Sequence, residues 1–197
     1  MRAAAFLDRD GVLNELVADP VSGAAESPLN PDEVRLIPGA AAAAARLARA
    51  GYALVCVSNQ PAAAKDWVSV AQLQAVHERV TQLLARDGVT LTASRLCLHH
   101  PHGVVAGLAG SCSCRKPAPG MLLDVAGALG LDLARSWMVG DSDTDIAAGR
   151  AAGCMTLLIR NPGSVHKRLQ VVSPDAVADS LADGVRNLMV QRVRDIH

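Results

Sequence analysis

The sequence has few aromatic residues, no excess of charge and no long apolar run. Its aromatic residues are one Phe, one Tyr and two Trp, too few for the stacking platforms that bind single-stranded nucleic acid. Nineteen acidic and nineteen basic residues cancel, so no overall field favours nucleic acid or a membrane surface. No segment approaches the ~20 apolar residues that span a bilayer, and residues 1–7 are too short for a signal peptide. We therefore expect a cytoplasmic protein that binds neither membranes nor nucleic acid.

The chain is long enough and apolar enough for one full core. Half of its 197 residues are apolar, so we expect a single domain over residues 1–197, and a monomer. The five cysteines should stay reduced in the cytoplasm, where a cluster of cysteines indicates metal ligands before disulfides.

Strand and helix patterns alternate along the chain. Apolar runs predict strands at residues 3–7, 52–57, 95–98, 137–139 and 155–159, and helical patterns lie at 38–49, 70–86, 119–129, 144–152 and from 175 onward. Short apolar strands separated by amphipathic helices predict a doubly wound, Rossmann-like α/β fold, a parallel sheet with helices on both faces. Ligands bind such folds at the carboxyl ends of the strands, and the polar clusters of this chain follow the predicted strands there.

The first cluster is Phe6-Leu7-Asp8-Arg9-Asp10-Gly11-Val12. An apolar strand delivers two carboxylates two residues apart, and Gly11 permits a sharp exit. Asp8 is placed to accept a phosphoryl group, and Asp10 to protonate the leaving oxygen and then to activate water. The alternative is an acidic turn, in which Asp10-Gly11 is only turn punctuation.

Three further clusters offer groups that bind phosphate and metal ions. Ser58-Asn59-Gln60 offers a hydroxyl and amides at a strand end and can hold a phosphate, although such residues often only cap a helix or turn. Asp141 can bind Mg²⁺, with Asp145 beside the ion, while Asp143 or Thr144 caps the helix that follows. Lys116 can neutralise phosphoryl oxygens, and Arg115 can grip a phosphate through its planar fork, although a solvated basic pair is the commoner fate of such dipeptides.

The sharpest local pattern is a Cys-x-His pair, Cys97 and His99, followed after twelve intervening residues by a Cys-x-Cys pair, Cys112 and Cys114. Three thiolates and an imidazole suit tetrahedral Zn²⁺, and four protein ligands indicate a structural site. His100 and His102 compete with His99, which is preferred for its Cys-x-His spacing. The alternative is a buried cysteine with a surface cysteine pair. The stretch between is poor in apolar area, so a metal would help this loop, about residues 97–114, to fold. Cys56 and Cys154 lie in apolar runs and are predicted to be buried.

These motifs resemble the haloacid dehalogenase superfamily of hydrolases. Asp8-Arg9-Asp10-Gly11, Ser58-Asn59, Lys116 and Gly140-Asp141-x-x-x-Asp145 match its four motifs in order, over residues 3–153. The cysteine segment followed by Arg-Lys-Pro is similar to that of D-glycero-D-manno-heptose 1,7-bisphosphate 7-phosphatases. The related histidinol-phosphate phosphatases have a shorter zinc loop.

The resemblance implies roles for these residues. Asp8 would be the nucleophile and a Mg²⁺ ligand, and Asp10 the general acid and base, binding Mg²⁺ through its main-chain carbonyl. Asp141 would complete the Mg²⁺ site. Ser58 and Lys116 would hold the transferring phosphoryl group, while Asn59 and Arg115 would help to bind substrate. A large cap domain is absent from this branch, where short loops and the zinc loop shape the pocket.

The chain departs from the branch at two places. Residues 61–66 read Pro-Ala-Ala-Ala-Lys-Asp where a Ser-Gly-Ile-Ala-Arg-Gly-like run is usual, so Lys65 takes the place of the Arg. Ser142 follows Asp141 where Lys is frequent. The expected substrate is a small phosphorylated sugar, most simply the heptose bisphosphate. The alternatives are a histidinol-phosphate phosphatase, another sugar phosphatase, a polynucleotide phosphatase and a non-catalytic zinc-stabilised binding module.

Overall fold

The computed structural model describes residues 1–19, 23–169 and 172–194, with side chains to residue 188. The strands are β1 (Ala4–Leu7), β2 (Val17–Ala18), β3 (Ala25–Glu26), β4 (Ala53–Asn59), β5 (Ala93–Cys97), β6 (Trp137–Gly140), β7 (Met155–Ile159) and β8 (Ala176–Ala178). The helices are α1 (Ala40–Arg49), α2 (Val70–Arg86), α3 (Gly120–Leu129), α4 (Asp143–Ala151) and α5 (Leu181–Arg194). Within these described ranges, no helix is both long and apolar enough to cross a membrane.

Six strands form one parallel sheet in the order β5-β4-β1-β6-β7-β8. The chain starts at β1 in the middle, moves outward through β4 to β5, and then crosses back to β6 on the other side of β1. The strand order therefore reverses at β1, and the crevice at the carboxyl end of β1 is where such sheets bind their ligands.

Alternate residues of each strand face opposite layers of helices. Ala5 and Leu7 of β1 pack in a core with α1, α2 and α5, whereas Ala4 and Phe6 pack in a second core with α3 and α4. Because both faces of the sheet are covered, a central strand such as β1 is apolar along its whole length, and its four residues are all buried. The predicted doubly wound fold is confirmed.

The structure corrects some local predictions. The last helix, expected from Asp175, begins at Leu181, because residues 176–178 pair with β7 as the edge strand β8. Ser142, not Asp143 or Thr144, is the N-cap of α4, and its backbone N–H donates to the Asp145 carboxylate at 3.1 Å. The hairpin of β2 and β3 was not predicted, since two-residue strands carry no periodic pattern.

Candidate active site

Asp8 lies immediately after β1, at the point where the strand order reverses. Its backbone N–H donates to the carbonyl of Val139 at 2.9 Å, which fixes it between β1 and β6. Its carboxylate Oδ1 accepts hydrogen bonds from the Arg9 backbone N–H at 2.8 Å and from Lys116 Nζ at 2.9 Å. The carboxylate is thus held at the strand tip beside a buried ammonium.

Gly11 allows the loop after β1 to approach the loop after β6. Its φ is +85°, a backbone conformation that favours glycine, and a Cβ there would overlap the carboxylate of Asp141. Two independent reasons therefore favour glycine at position 11, the positive φ angle and the close approach of the Asp141 carboxylate.

Asp10 is buried and directed towards three donors from the protein. Its carboxylate accepts two hydrogen bonds of 3.0 Å from the Arg9 guanidinium, one of 2.9 Å from Asn14 and one of 2.6 Å from Gln60. Burial alone would raise the pKa of Asp10, but the positive charge of Arg9 and these hydrogen bonds outweigh burial and lower it. The resting carboxylate is therefore kept ionised.

Lys116 is the cation at the centre of the site. Its buried ammonium lies 2.9 Å from Asp8 Oδ1, 2.6 Å from Asp145 Oδ1 and 2.8 Å from the carbonyl oxygen of Val57. Burial disfavours the charged form, but the two carboxylates more than compensate, so the pKa of Lys116 is raised. Two hydrogen bonds, to Asp8 and Val57, and the ion pair with Asp145 fix its position.

Asp8, Asp141 and Asp145 form a buried acidic cluster. One carboxylate oxygen from each lies within 4.8 Å of the others. Burial, opposed by Lys116 and assisted by neighbouring carboxylates, raises the pKa of Asp8 to about 6. Burial and the charges of Asp8 and Asp145 raise the pKa of Asp141 to about 7. The cluster carries more negative charge than Lys116 alone offsets, so the three carboxylates are candidate ligands for a metal ion.

Ser58 and Asn59 are the last residues of β4, next to the tip of β1. Asn59 Nδ2 donates to the carbonyl of Lys116 at 3.0 Å, and the Lys116 backbone N–H donates back to Asn59 Oδ1 at 3.1 Å. Gln60 Nε2 joins Ser58 Oγ, at 3.0 Å, to Asp10. Asn59 therefore fixes the lysine loop, and Gln60 connects the first two motifs.

Cys97, His99, Cys112 and Cys114 form a second cluster beside this site, with one ligand atom from each within 4.8 Å of the rest. Three distances between two sulfur atoms and two distances from a sulfur atom to His99 Nδ1 all lie in the range 3.1–3.9 Å. Tetrahedral bonds of about 2.3 Å would separate two sulfur ligands by about 3.8 Å, so the cluster approximates a tetrahedral ligand set. His100 instead accepts a hydrogen bond from the backbone N–H of His102.

Comparisons with known proteins agree with this geometry. A family model described as HAD-hydrolase-like matches residues 113–184. A D-glycero-D-manno-heptose-1,7-bisphosphate 7-phosphatase of Thermosynechococcus vestitus is 41% identical over 195 residues, covering 93% of this chain and 94% of that protein. The chain belongs to the haloacid dehalogenase-like hydrolases.

Solved structures of this hydrolase family support the same assignment. The crystal structure of the D,D-heptose 1,7-bisphosphate phosphatase of B. bronchiseptica, complexed with magnesium and phosphate, superposes with a TM-score of 0.77 at 34% identity. The match covers 97% of this chain and 99% of that one. A HAD-like phosphatase of Mesorhizobium loti gives a TM-score of 0.78 at 32% identity, covering 96% and 85%.

In this hydrolase, the residues predicted for catalysis and substrate binding meet at one cavity of about 470 Å³. The predicted residues that line it are Asp8, Asp10, Ser58, Asn59, Lys65, Arg115, Lys116 and Asp141. Lys65 stands at the rim, with its ammonium 4.3 Å from the centre of the Trp67 ring, and Arg115 donates to the carbonyl of His99 at 3.2 Å. The chain departs from the sequence pattern of the heptose phosphatases at residues 61–66 and at Ser142. Both places lie at the cavity, because Lys65 and Ser142 line it.

Several contacts of the site were not predicted from the sequence. Asp145 was expected beside the metal ion, but its ion pair with Lys116 was not foreseen. Gln60 and Asn14 were missed as partners of Asp10. The segment after β7 was missed entirely, although it places Ser164 against Asp141 and Lys167 in the cavity wall. A turn-forming Asn-Pro-Gly-Ser sequence, one residue beyond a predicted strand, was the available signal.

Proposed function

We propose that this hydrolase is a phosphomonoesterase that uses Mg²⁺ and forms an aspartyl-phosphate on Asp8. The observation that carries the proposal is the position of the Asp8 carboxylate. It lies at the strand tip where the sheet order reverses, lines the cavity and contacts the Lys116 ammonium at 2.9 Å. A nucleophile for phosphoryl transfer needs this combination of access and nearby positive charge.

The acidic cluster fits a divalent cation. Three buried carboxylates lie within 4.8 Å of one another, and the Lys116 ammonium contacts two of them. Burial, together with repulsion between the carboxylates, raises the pKa values of Asp8 and Asp141. Mg²⁺ prefers oxygen ligands, and we propose that it is held by the carboxylates of Asp8 and Asp141 and by the main-chain carbonyl of Asp10. Bound there, Mg²⁺ would neutralise charge on the transferring phosphoryl group. Asp145, paired with Lys116, would then serve to position the lysine.

In the first step, an oxygen of Asp8 attacks phosphorus and the bond from phosphorus to the sugar oxygen breaks. Asp10 protonates the departing oxygen. Ser58 and Lys116 hold the phosphoryl oxygens, as both line the cavity beside Asp8. In the second step, water attacks the phosphorus of the aspartyl-phosphate, Asp10 takes its proton, and Asp8 is released with inorganic phosphate.

Asp10 is better prepared for the second step than for the first. Arg9, Asn14 and Gln60 keep its carboxylate ionised, which suits a base that takes a proton from water. To act as an acid it must first be protonated and move away from some of these donors. Catalytic hydrogen bonds are often completed only when substrate is bound. We propose that substrate binding turns Asp10 towards the leaving oxygen.

We further propose that Cys97, His99, Cys112 and Cys114 hold a structural Zn²⁺. Their ligand atoms approximate a tetrahedron, and four protein ligands leave no position for substrate. Burial, followed by contacts with neighbouring thiols, raises the pKa of the Cys97 thiol, so a thiolate there needs a nearby cation. The ion would stiffen the loop that carries Arg115 and Lys116 into the cavity.

For the substrate we propose the 7-phosphate of D-glycero-D-manno-heptose 1,7-bisphosphate. The support is the name of a relative that is 41% identical over 93% of this chain, together with a cavity whose wall carries Lys65, Arg115 and Lys167 besides the central lysine. Extra cations suit a substrate with a second phosphate. All residues of the site come from one sheet and its loops, which supports one catalytic domain over residues 1–197.

A phosphate-release panel tests this proposal. The purified chain with Mg²⁺ is assayed on both anomers of heptose 1,7-bisphosphate, fructose 1,6-bisphosphate and histidinol phosphate. We expect the highest kcat/KM on a heptose bisphosphate anomer, and loss of activity when Mg²⁺ is chelated. The highest kcat/KM on histidinol phosphate would instead assign the chain to that branch.

Asp8→Asn and Asp10→Asn provide the controls. Each keeps the shape of the side chain, and each should abolish turnover, because general acid–base catalysis alone is typically worth ~10²–10⁴-fold. Circular dichroism should show an unchanged fold. More than a tenth of wild-type activity in the Asp8→Asn variant would rule out the covalent mechanism.

A further inference from the structure

The segment that follows β7 forms one wall of the active-site cavity. Asn161 Nδ2 donates to the carbonyl of Gly11 at 3.0 Å, and Ser164, fully buried, donates to the carboxylate of Asp141. These two hydrogen bonds attach the segment to the loops after β1 and β6. Residues 162–167 form a short 3₁₀ helix that begins after Asn161 and contains Ser164, so the backbone at Lys167 is fixed relative to the carboxylates of the site.

The C-terminal end of this segment is attached as well. Arg168 Nη1 donates to the carbonyls of Asn161 at 2.9 Å and of Asp141 at 3.3 Å. The backbone N–H of Leu169 donates to the Asp143 carboxylate at 2.7 Å. Lys167 is therefore placed by hydrogen bonds on both sides of it, which favours a defined contact over a freely moving surface lysine.

Lys167 differs from the other cations of the cavity. Lys116 is occupied by two carboxylates, Arg115 donates to the carbonyl of His99, and Lys65 lies over the ring of Trp67. Lys167 is half-buried in the cavity wall, and the described part of the chain offers its ammonium no hydrogen bond or ion pair. Its charge does act on Asp141, whose raised pKa it partly lowers.

Lys167 and Arg115 belong to segments that reach the cavity from different sides of β1. Arg115 lies between β5 and α3, and β5 is on one side of β1. Lys167 lies after β7, which is on the other side of β1. Among the described residues that line the cavity after β6 and β7, Lys167 is the one that carries a positive charge. Glu26 is an acid on the cavity wall and forms no ion pair with Lys167 among the described residues.

We propose that Lys167 is a substrate-binding residue that holds the phosphate group that is not transferred. This inference rests on the proposed function, because it requires a substrate with a second phosphate. An unpaired ammonium on a half-buried side chain, carried by a firmly held backbone, is suited to a phosphate dianion, to which it can donate charge-assisted hydrogen bonds. The reacting phosphate, by contrast, is served by Lys116 at Asp8.

The test compares three variants of the full chain with wild type, with Mg²⁺, on heptose 1,7-bisphosphate, fructose 1,6-bisphosphate and p-nitrophenyl phosphate. Lys167→Gln should lower kcat/KM for the preferred bisphosphate about 10- to 100-fold, the range for a lost hydrogen bond to a charged group. The loss should be mainly in KM, and should be smaller on p-nitrophenyl phosphate. Lys167→Arg should recover most of it. His166→Ala, an exposed neighbour, is the matched control.

The outcomes separate this inference from the proposed function. Equal losses on bisphosphate and monophosphate, or no loss on either, would overturn the role of Lys167. If wild type prefers fructose bisphosphate to heptose bisphosphate, the proposed substrate fails, and the Lys167 comparison is read on fructose bisphosphate. Preference for no bisphosphate would overturn both.

Calorimetry covers the case in which turnover is absent. Titration of fructose 1,6-bisphosphate into Asp8→Asn, with and without Lys167→Gln, measures binding alone. We expect about 10-fold weaker binding without Lys167, and equal affinities would contradict the inference.

Discussion

Asp145→Asn isolates the charge that holds Lys116. The Asp145 carboxylate is fully buried, with Oδ1 2.6 Å from Lys116 Nζ, while Oδ2 accepts from Ser142 N at 3.1 Å and from Ser142 Oγ at 2.5 Å. Asparagine has the same shape but only one acceptor oxygen. Whichever way its amide turns, an NH₂ group faces either the ammonium or the Ser142 backbone N–H.

The expected cost follows from these contacts. Removing one partner of a buried ion pair costs about 3–5 kcal/mol, because the other charge is left buried. Lys116 keeps Asp8 at 2.9 Å and the carbonyl of Val57 at 2.8 Å, so we expect the lower end, about 3 kcal/mol. Activity should fall about 100-fold or more, since a shifted ammonium no longer meets the transferring phosphoryl group.

Urea unfolding at pH 7.5 and phosphate release at saturating substrate measure the two effects. Asp124→Asn is the matched control, because Asp124 pairs with Arg95 at 2.6 Å but the two side chains are 59% and 44% exposed. Exposed pairs are worth about 0–1 kcal/mol. If Asp145→Asn destabilises the chain no more than Asp124→Asn does, the argument from the buried pair is wrong.

Three further predictions concern binding, the second metal and pH. Arg115→Ala should reduce kcat/KM for the bisphosphate by about 1.5–3 kcal/mol and for p-nitrophenyl phosphate by less; equal losses would indicate that Arg115 only braces the loop through the carbonyl of His99. Metal analysis of the wild-type protein, purified without added zinc, should find about one equivalent of Zn²⁺ per chain, and Cys112→Ser should hold none. Freely reactive thiols in the folded wild type would exclude the zinc site. Burial, with Arg9 nearby, lowers the pKa of His77 to about 4, and its Nδ1 has no hydrogen-bond partner among the described residues. The unfolded chain protonates this ring below about pH 6.5 and the folded chain does not, so stability is lost as pH falls towards 4. The free energy of unfolding of wild type should fall between pH 7.5 and pH 5, and His77→Gln should make that fall smaller by about 1 kcal/mol, a figure that allows for partial exposure of the ring. An unchanged pH dependence of urea unfolding in the variant would contradict this.

Much of the site was predictable because parallel sheets gather the ends of their strands. Asp8, Ser58 and Asp141 follow apolar runs, and the order β4-β1-β6 brings those runs together. The clustering of Cys97 and Cys112 with His99 and Cys114 was predictable because candidate metal ligands repeat at short spacing. Edge strand β8 was not predictable, since three residues acquire strand geometry only by pairing with β7.

Two of the contacts that the sequence did not reveal share a physical feature, which is that each supplies a hydrogen bond to a buried carboxylate from a distant part of the chain. Gln60 reaches Asp10 across 50 positions, and Ser164 reaches Asp141 across 23. A serine or glutamine in a loop carries no periodic or charge signal, so its role exists only in the folded chain. A buried carboxylate left without such partners would cost several kcal/mol. Each buried carboxylate that the sequence predicts therefore implies partners still to be located, and that requirement leads from Asp141 to Ser164, and along the same short helix to Lys167.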